Sequence, residues 1–312
     1  MTALRKLGQL LITVVLVTLF ASLLLELLPG DPVEVLVPFG SDEQRELVRQ
    51  DLDLDQPFIA RYGAWLGGFF TGDLGSYYAV SSTRPVSERV GEALPVSLVL
   101  MIYAQVIALL IAIPVGVLAA YKKDSFFDRM SSTSAFAMLA IPTFALGFVL
   151  QYYLAVKLGW FKATGYTPLT ENPVEHLQTV VLPVITLAVG QVAVYMRLLR
   201  SDMIATLQQD FITMAKAKGL QNKRILFRHA LRPSSLTLLT VAGLNVGTLI
   251  GGALIIEVVF QIPGMGFLLA ESIATRQIVA FQSMVAIIAI FYVLVNFGVD
   301  ILYSVLDPRI RR

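Results

Sequence analysis

Six stretches of this chain are long and apolar enough to cross a bilayer, and no other property narrows its fold so far. They run approximately Leu7–Leu28, Pro95–Tyr121, Met130–Val156, Leu177–Leu199, Leu236–Val259 and Phe281–Leu306. A helix rises about 1.5 Å per residue, so a hydrocarbon core about 30 Å thick takes about 20 apolar residues. In that medium each backbone N–H and C=O has to be bonded within its segment, which makes every run a helix. Pro114, Pro142 and Pro183 lie inside or near the ends of the runs, where neighbouring helices re-satisfy the freed groups. The sequence therefore predicts an all-α integral membrane protein with six transmembrane helices.

Composition agrees with that class. Charged residues make up 15% of the chain and the mean hydropathy is +0.73, whereas a soluble domain carries about 25% charged residues to solvate its surface. There is no cysteine, which excludes disulfides, thiolate zinc sites and a cysteine nucleophile. The first run follows Arg5 and Lys6 but exceeds the roughly 7–15 apolar residues of a secretory signal. It also ends in Glu26-Leu27-Leu28-Pro29 rather than a small-residue cleavage site, so it is expected to be retained.

Basic residues set the orientation. With a cytoplasmic N-terminus and six alternating helices, 16 of the 24 lysines and arginines fall on the cytoplasmic side, where such an excess belongs. Both termini are then cytoplasmic. The expected organisation is an N-terminal helix (1–28), an extracytoplasmic segment (29–94), a five-helix core (95–306) and a short tail (307–312).

Two connections are long. The external one opens with Leu28-Pro29-Gly30-Asp31-Pro32, a helix stop. Ser41 to Gln44 has capping-box spacing and starts a polar helix to about Asp51. Phe58, Ile59, Tyr62, Trp65, Leu66, Phe69 and Phe70 follow at helical spacing, suiting a membrane interface, a partner surface or a cap on the helix ends. The cytoplasmic connection, 200–233, carries apolar residues at three- and four-residue steps from Asp202 to Lys218. They predict one amphipathic helix, ended by Gly219. A second short basic helix is expected from Asn222 to Leu231, before Pro233. The basic residues of this connection suit lipid headgroups, and by periodicity alone a solvated basic loop is the simpler reading beside a protein-docking helix.

Gln105, Asn245 and Asn296 lie inside spans, with Glu26 and Asp300 near ends; interhelical hydrogen bonding is the simpler role. Gly243, Gly247 and Gly251 repeat every four residues, a pattern that lets helices approach closely and would serve a gate. No G-x-x-x-x-G-K-[ST] loop occurs, so ATP is not bound by that route. His176 and His229 fall on opposite membrane faces and cannot share a metal. No catalytic residue, metal site or cofactor is expected in this chain, and no nucleic-acid partner.

Several segments resemble bacterial dipeptide/oligopeptide ABC transporter permeases. The cytoplasmic Phe211-Ile212-Thr213-Met214-Ala215-Lys216-Ala217-Lys218-Gly219-Leu220 and Arg228-His229-Ala230-Leu231-Arg232 carry the resemblance. So do Pro29-Gly30-Asp31-Pro32, Gly72-Asp73-Leu74-Gly75, Glu257-Val258-Val259-Phe260, Pro263-Gly264-Met265-Gly266 and Leu306-Asp307-Pro308-Arg309. Against the wider importer signature, Thr213 and Met214 stand where Glu and Ala are usual, and His229 and Arg232 replace Ile and Pro.

The resemblance implies a MetI-like type I ABC importer fold, multi-pass in the bacterial plasma membrane. It makes the Asp202–Lys218 region the coupling helix, with Asp210, Ala215, Lys218, Gly219 and Leu220 as contacts for an ATPase. It also implies a second, usually non-identical permease chain, two cytoplasmic P-loop ATPases that use ATP and Mg, and an extracytoplasmic substrate-binding protein. The family's cargo includes peptides, nickel, glutathione and haem-related compounds. The spans hold almost no fixed charge, so selectivity is expected to reside in the binding protein. An ion-driven secondary transporter is disfavoured, because neither a midplane acid nor an inverted repeat is visible.

Overall fold

The computed structural model describes residues 3–79 and 82–306. The expected tail 307–312, with its Asp307-Pro308-Arg309 motif, lies outside the described residues. The chain forms two compact units, Met1–Ser97 with Pro263–Leu294, and Leu98–Ile262 with Val295–Arg312.

The first unit begins with α1 (Ala3–Glu26), which stops at Pro29 and Gly30, the latter at φ +101°. Asp31 caps the short α2 (Pro32–Leu36) by accepting from the Val33 amide at 2.9 Å. The expected capping box opens α3 (Asp42–Asp51): the Gln44 amide donates to Ser41 Oγ, and the Ser41 amide to Gln44 Oε1. In α4 (Phe58–Thr71), Tyr62 and Trp65 face inward and pack with Val14 of α1 and Ala286. Their polar tips are satisfied, as buried Tyr and Trp require. Tyr62 Oη lies 2.8 Å from Thr18 Oγ1, and Trp65 Nε1 donates to Ser283 Oγ at 2.9 Å.

A two-stranded hairpin follows, β1 (Ser76–Ala79) against β2 (Ser82–Pro85), with Tyr77 opposite Arg84. The apolar pattern gives no sign of it. The Gln277 side chain bonds both backbone groups of Tyr78 and so extends the small sheet. Tyr77, Val86 and Val90 form a second core with Met265, Ala280 and Met284. Arg89 pairs with Glu271 at 2.6 Å and lies over the Tyr77 ring.

The long α5 (Val86–Tyr121) contributes to both units. In the second unit Leu100, Ala104, Ala108 and Ala112 are fully buried along one stripe of it. The third expected span is broken. α6 (Phe126–Ala140) and α7 (Thr143–Leu150), prolonged by a wide π-helical turn at Gln151–Lys157, meet at 98°. Pro142 lacks an N–H and forces the residue before it out of the helix, and Ile141 is extended at φ −88°, ψ 122°. Among the described residues five helices are therefore long and apolar enough to cross a membrane, or six if the bent pair counts as one.

α8 (Pro173–Leu207) is the core of this unit, with 67% of its most apolar stretch buried; it packs on α6, α7 and α11. Pro183 sits inside it without a break. Two side-chain links tie it to its neighbours. Gln105 of α5 accepts from Tyr195 Oη at 3.0 Å and donates to the Ala242 carbonyl at 3.1 Å. Arg200 forks onto the buried Asp128 in the first turn of α6, with Nη2 to Oδ2 at 2.7 Å.

The single helix expected from Asp202 to Lys218 is two. Asp202 to Leu207 is the end of α8, the chain turns at Gln208 and Gln209, and α9 (Asp210–Ala217) begins again. Gln209 is extended at φ −74°, ψ 151°, and the turn lets Met203 and Ile212 both be fully buried. Nor does the helix at Asn222 stop before Pro233. α10 (Asn222–Arg224), a π-helical turn (Ile225–Ala230) and α11 (Leu231–Phe260) run on for 39 residues. In that turn the Leu231 amide reaches back five residues to the Leu226 carbonyl. This widened register relieves the clash a proline ring makes with the carbonyl four residues before it. The chain then runs through α12 (Met265–Ala274) into α13 (Ile278–Leu306).

Candidate functional site

The residues singled out by sequence fall into three groups, each with its own geometry. The first is α9. Asp210 occupies its first turn, where the helix dipole favours an acid. Ile212 and Ala215 point into the protein and hold the helix in place. Phe211 and Met214 are exposed at 45% and 59% on the adjoining face. The end is a full Schellman motif. Gly219 takes φ +74°, its amide bonds the Lys216 carbonyl at 2.9 Å, and the Leu220 amide bonds the Ala215 carbonyl at 3.2 Å. Lys218 is exposed and Leu220 half-buried, so of the five suggested contacts Ala215 serves packing and the others stay near the surface. Beside this helix Tyr121, Ile204, Leu207, Lys216 and Asn222 line a cleft of about 250 Å³.

The glycine run behaves unevenly. A Cβ on Gly243 would lie 2.7 Å from Val299 Cγ1, so α11 and α13 approach closely there. Gly247 is buried, whereas a Cβ on Gly251 would meet nothing within 4 Å. On α11, Gly252, outside the four-residue run, lies against Leu187 of α8. A strict four-residue pattern does not identify it.

The outer motif is a joint. Pro29 and Gly30 end α1, Asp31 caps α2 and also pairs with Arg49 of α3, and Arg276 donates to the Pro29 carbonyl. Burial pushes the Asp31 carboxyl up, but the Val33 amide and the Arg49 guanidinium outweigh it and hold the group below its usual value.

The family described as "Binding-protein-dependent transport system inner membrane component" matches residues 112–312, which contain α9, the glycine run and most of the second unit. The chain belongs to this family. It is a multi-pass component of the bacterial inner membrane and a subunit of a transport system. Similarity to relatives extends over its full length. A Brucella abortus protein named for peptide transport is 37% identical over 100% of this chain and 99% of its own. The oligopeptide transport system permease protein AppB of Bacillus subtilis is 37% identical over 94% of each. The glutathione transport system permease protein GsiC of Escherichia coli is 32% identical over 98% of this chain and 97% of its own. A chain of the MetNI methionine ABC transporter, inward facing, superposes with a TM-score of 0.58 over 70% of this chain and 96% of that one; at 16% identity it speaks for the fold alone. The fold of this transport subunit is MetI-like.

Three features of the permease are not evident from its motifs. The Asp128–Arg200 pair joins residues 72 apart, and neither charge announces its partner. Gln151, in the π-helical turn after α7, donates to the carbonyls of Ala163 and Val259 at 2.7 and 3.1 Å. The exposure of Phe211 and Met214 cannot be separated by period from the burial of Ile212 and Ala215.

Proposed function

We propose that this permease is the channel-forming subunit of an ATP-driven peptide importer and that α9 is where a separate ATPase acts on it. One observation carries the reading. α9 is a short helix fixed to the protein by Ile212, Ala215 and a Schellman end, with Phe211 and Met214 exposed on the adjoining face. A lever of this kind transmits force only if something seats on its free face. The chain has no phosphate loop of its own, so the nucleotide and its Mg belong to partner ATPases.

The family's binding-protein dependence supports the rest of the proposed assembly. A binding protein delivers cargo from outside, a second permease chain completes the pathway, and both termini lie in the cytoplasm with the basic loops. Peptide cargo is supported by the names of the Brucella and Bacillus relatives. The similarity to GsiC favours one second reading, in which the cargo is the tripeptide glutathione.

The test is purification of the tagged chain from its native membrane in mild detergent, with mass spectrometry and uptake assays in vesicles. A P-loop ATPase and a second permease are expected to co-purify. The variant Gly219→Val, which cannot hold φ +74° cheaply, is expected to retain ATP hydrolysis while losing at least tenfold in uptake. A lone chain that moves peptides without ATP sinks the reading. Competition of labelled peptide by glutathione decides between the two cargoes.

A further inference from the structure

Within the second unit, α8 and α11 run antiparallel along one seam. Ser234 Oγ donates to Thr206 Oγ1 at 2.9 Å near one end of it, and Leu187 lies against Gly252 toward the other. Between these contacts Gln191 Nε2 donates to Thr248 Oγ1 at 3.3 Å, and Thr248 Oγ1 donates to the Asn245 carbonyl at 2.8 Å. Gln191 lies close to the midpoint of α8 and Thr248 within a turn of the midpoint of α11. The pair therefore stands well inside a hydrocarbon layer about 30 Å thick. No charged residue occurs between Glu175 and Arg197 on α8, or between Arg232 and Glu257 on α11.

This pair is neither fully satisfied nor fully covered. Gln191 Oε1 is buried and has no hydrogen-bond partner among the described residues. Thr248 is exposed and Gln191 half-buried. Beside them, a Cβ on Gly190 or on Gly251 would meet nothing within 4 Å. The seam thus holds a small uncharged recess, open on one side, with hydrogen-bonding capacity to spare. Gln105, at similar depth, spends both ends of its carboxamide on Tyr195 and the Ala242 carbonyl. Acyl chains offer neither donor nor acceptor, so a lipid-facing Gln191 would carry the cost of its unmet oxygen uncompensated. In a subunit of a transport system, cargo has to pass the middle of the bilayer against polar groups of this kind.

We infer that Gln191, with Thr248 beside it, is a contact for the main-chain amide of a peptide in transit. A peptide group brings one N–H and one C=O, and a carboxamide complements both. Rotation about Cγ–Cδ is soft in a terminal amide. It brings Oε1 to the open side to accept the peptide N–H, while Nε2 leaves Thr248 and donates to a peptide carbonyl. Neither group is charged, so the contact takes peptides of varied side chains, and the bare glycines leave room for the main chain to approach. The inference rests on peptide cargo and names a residue that touches it.

The chain contains no cysteine, so Thr248→Cys gives it a single thiol at the rim of the recess. The full complex, in lipid nanodiscs without nucleotide, is treated with a membrane-impermeant methanethiosulfonate, and labelling of this chain is read by mass spectrometry. The thiol is expected to be labelled, and excess tri-alanine is expected to abolish the labelling. In proteoliposomes with ATP and the binding protein, uptake of tri-alanine is compared with uptake of an analogue that carries an ester oxygen in place of one backbone N–H. The preference for the amide is expected to fall about fivefold in Gln191→Leu, the loss of one hydrogen bond. The binding protein contributes equally to both ratios and cancels. Labelling leaves Gln191 in place and keeps the test valid if Gln191→Leu fails to assemble. A thiol labelled in the lone chain but not in the complex puts the second permease over the recess and overturns the inference. A thiol unreached in both faces lipid and does the same, as does labelling indifferent to tri-alanine or an unchanged amide preference. A complex that imports tri-alanine with its thiol unprotected refutes the recess alone and leaves the importer standing. Failure to import tri-alanine removes the peptide reading, and this inference with it.

Discussion

α4 and α9 are both short amphipathic helices outside the long spans, and they use their apolar faces in opposite ways. α4 turns Tyr62 and Trp65 inward and satisfies both polar tips. α9 buries two small contacts and leaves Phe211 and Met214 in the open. A covered face holds a fold together, and an uncovered one on a rigidly capped helix is available for work. Amphipathic pattern alone does not tell these apart, because it records that a face is apolar and not what lies against it.

The comparison breaks most readily at Trp65. Trp65→Ala removes a buried ring and leaves Ser283 without its donor, so it is expected to cost about 3–5 kcal/mol in reversible unfolding in mixed micelles. Phe211→Ala with Met214→Ala should shift the same unfolding by less than about 0.5 kcal/mol, yet lower ATP-dependent uptake at least tenfold. Equal destabilisation by the two would erase the distinction. Within α11 the contrast sharpens between two glycines of one pattern. Gly243→Ala forces a methyl against Val299 and is expected to cost about 1–3 kcal/mol. Gly251→Ala meets open space and is expected to be neutral or stabilising by up to about 1 kcal/mol through helix propensity. The same micelle titration compares them.

The smallest effect concerns the joint after α1. The Asp31 carboxyl is held below its ordinary value of 3.8, so its contribution to stability is complete above that value. It fades as pH falls through the lower folded-state value. Proteolysis or amide exchange over residues 29–51 is therefore expected to quicken only below about pH 4. Asp31→Asn should remove that step.

Much of this architecture is legible in the sequence because lipid leaves few choices: every long apolar run is helical in the structure, one of them as two helices. Gly219 is legible for a similar reason, since few other residues end a helix at positive φ so cheaply. Direction is what pattern does not carry. Pro142 marks a bend, but the 98° between α6 and α7 comes from Ile141 adopting an extended backbone. Pro233 reads as a stop, and the π-helical turn before it lets the helix continue. The apolar steps from Met203 to Ala215 continue across Gln208 and Gln209, so their period does not reveal a break. At the candidate sites, the residue types are readable from Asp210 to Leu220, while the inward role of Ala215 depends on that hidden turn.

The pairing of Asp128 with Arg200 also sets a timetable for the growing chain. At roughly 5–20 residues per second of synthesis, the 72 residues between them take about 4–15 s. Until Arg200 emerges the carboxylate lacks its principal counter-charge, with only the Asp124 amide and the more distant Lys123 to favour it, and a poorly paired acid resists leaving water. The start of α6 is thus favoured at the aqueous edge until α8 arrives with Arg200.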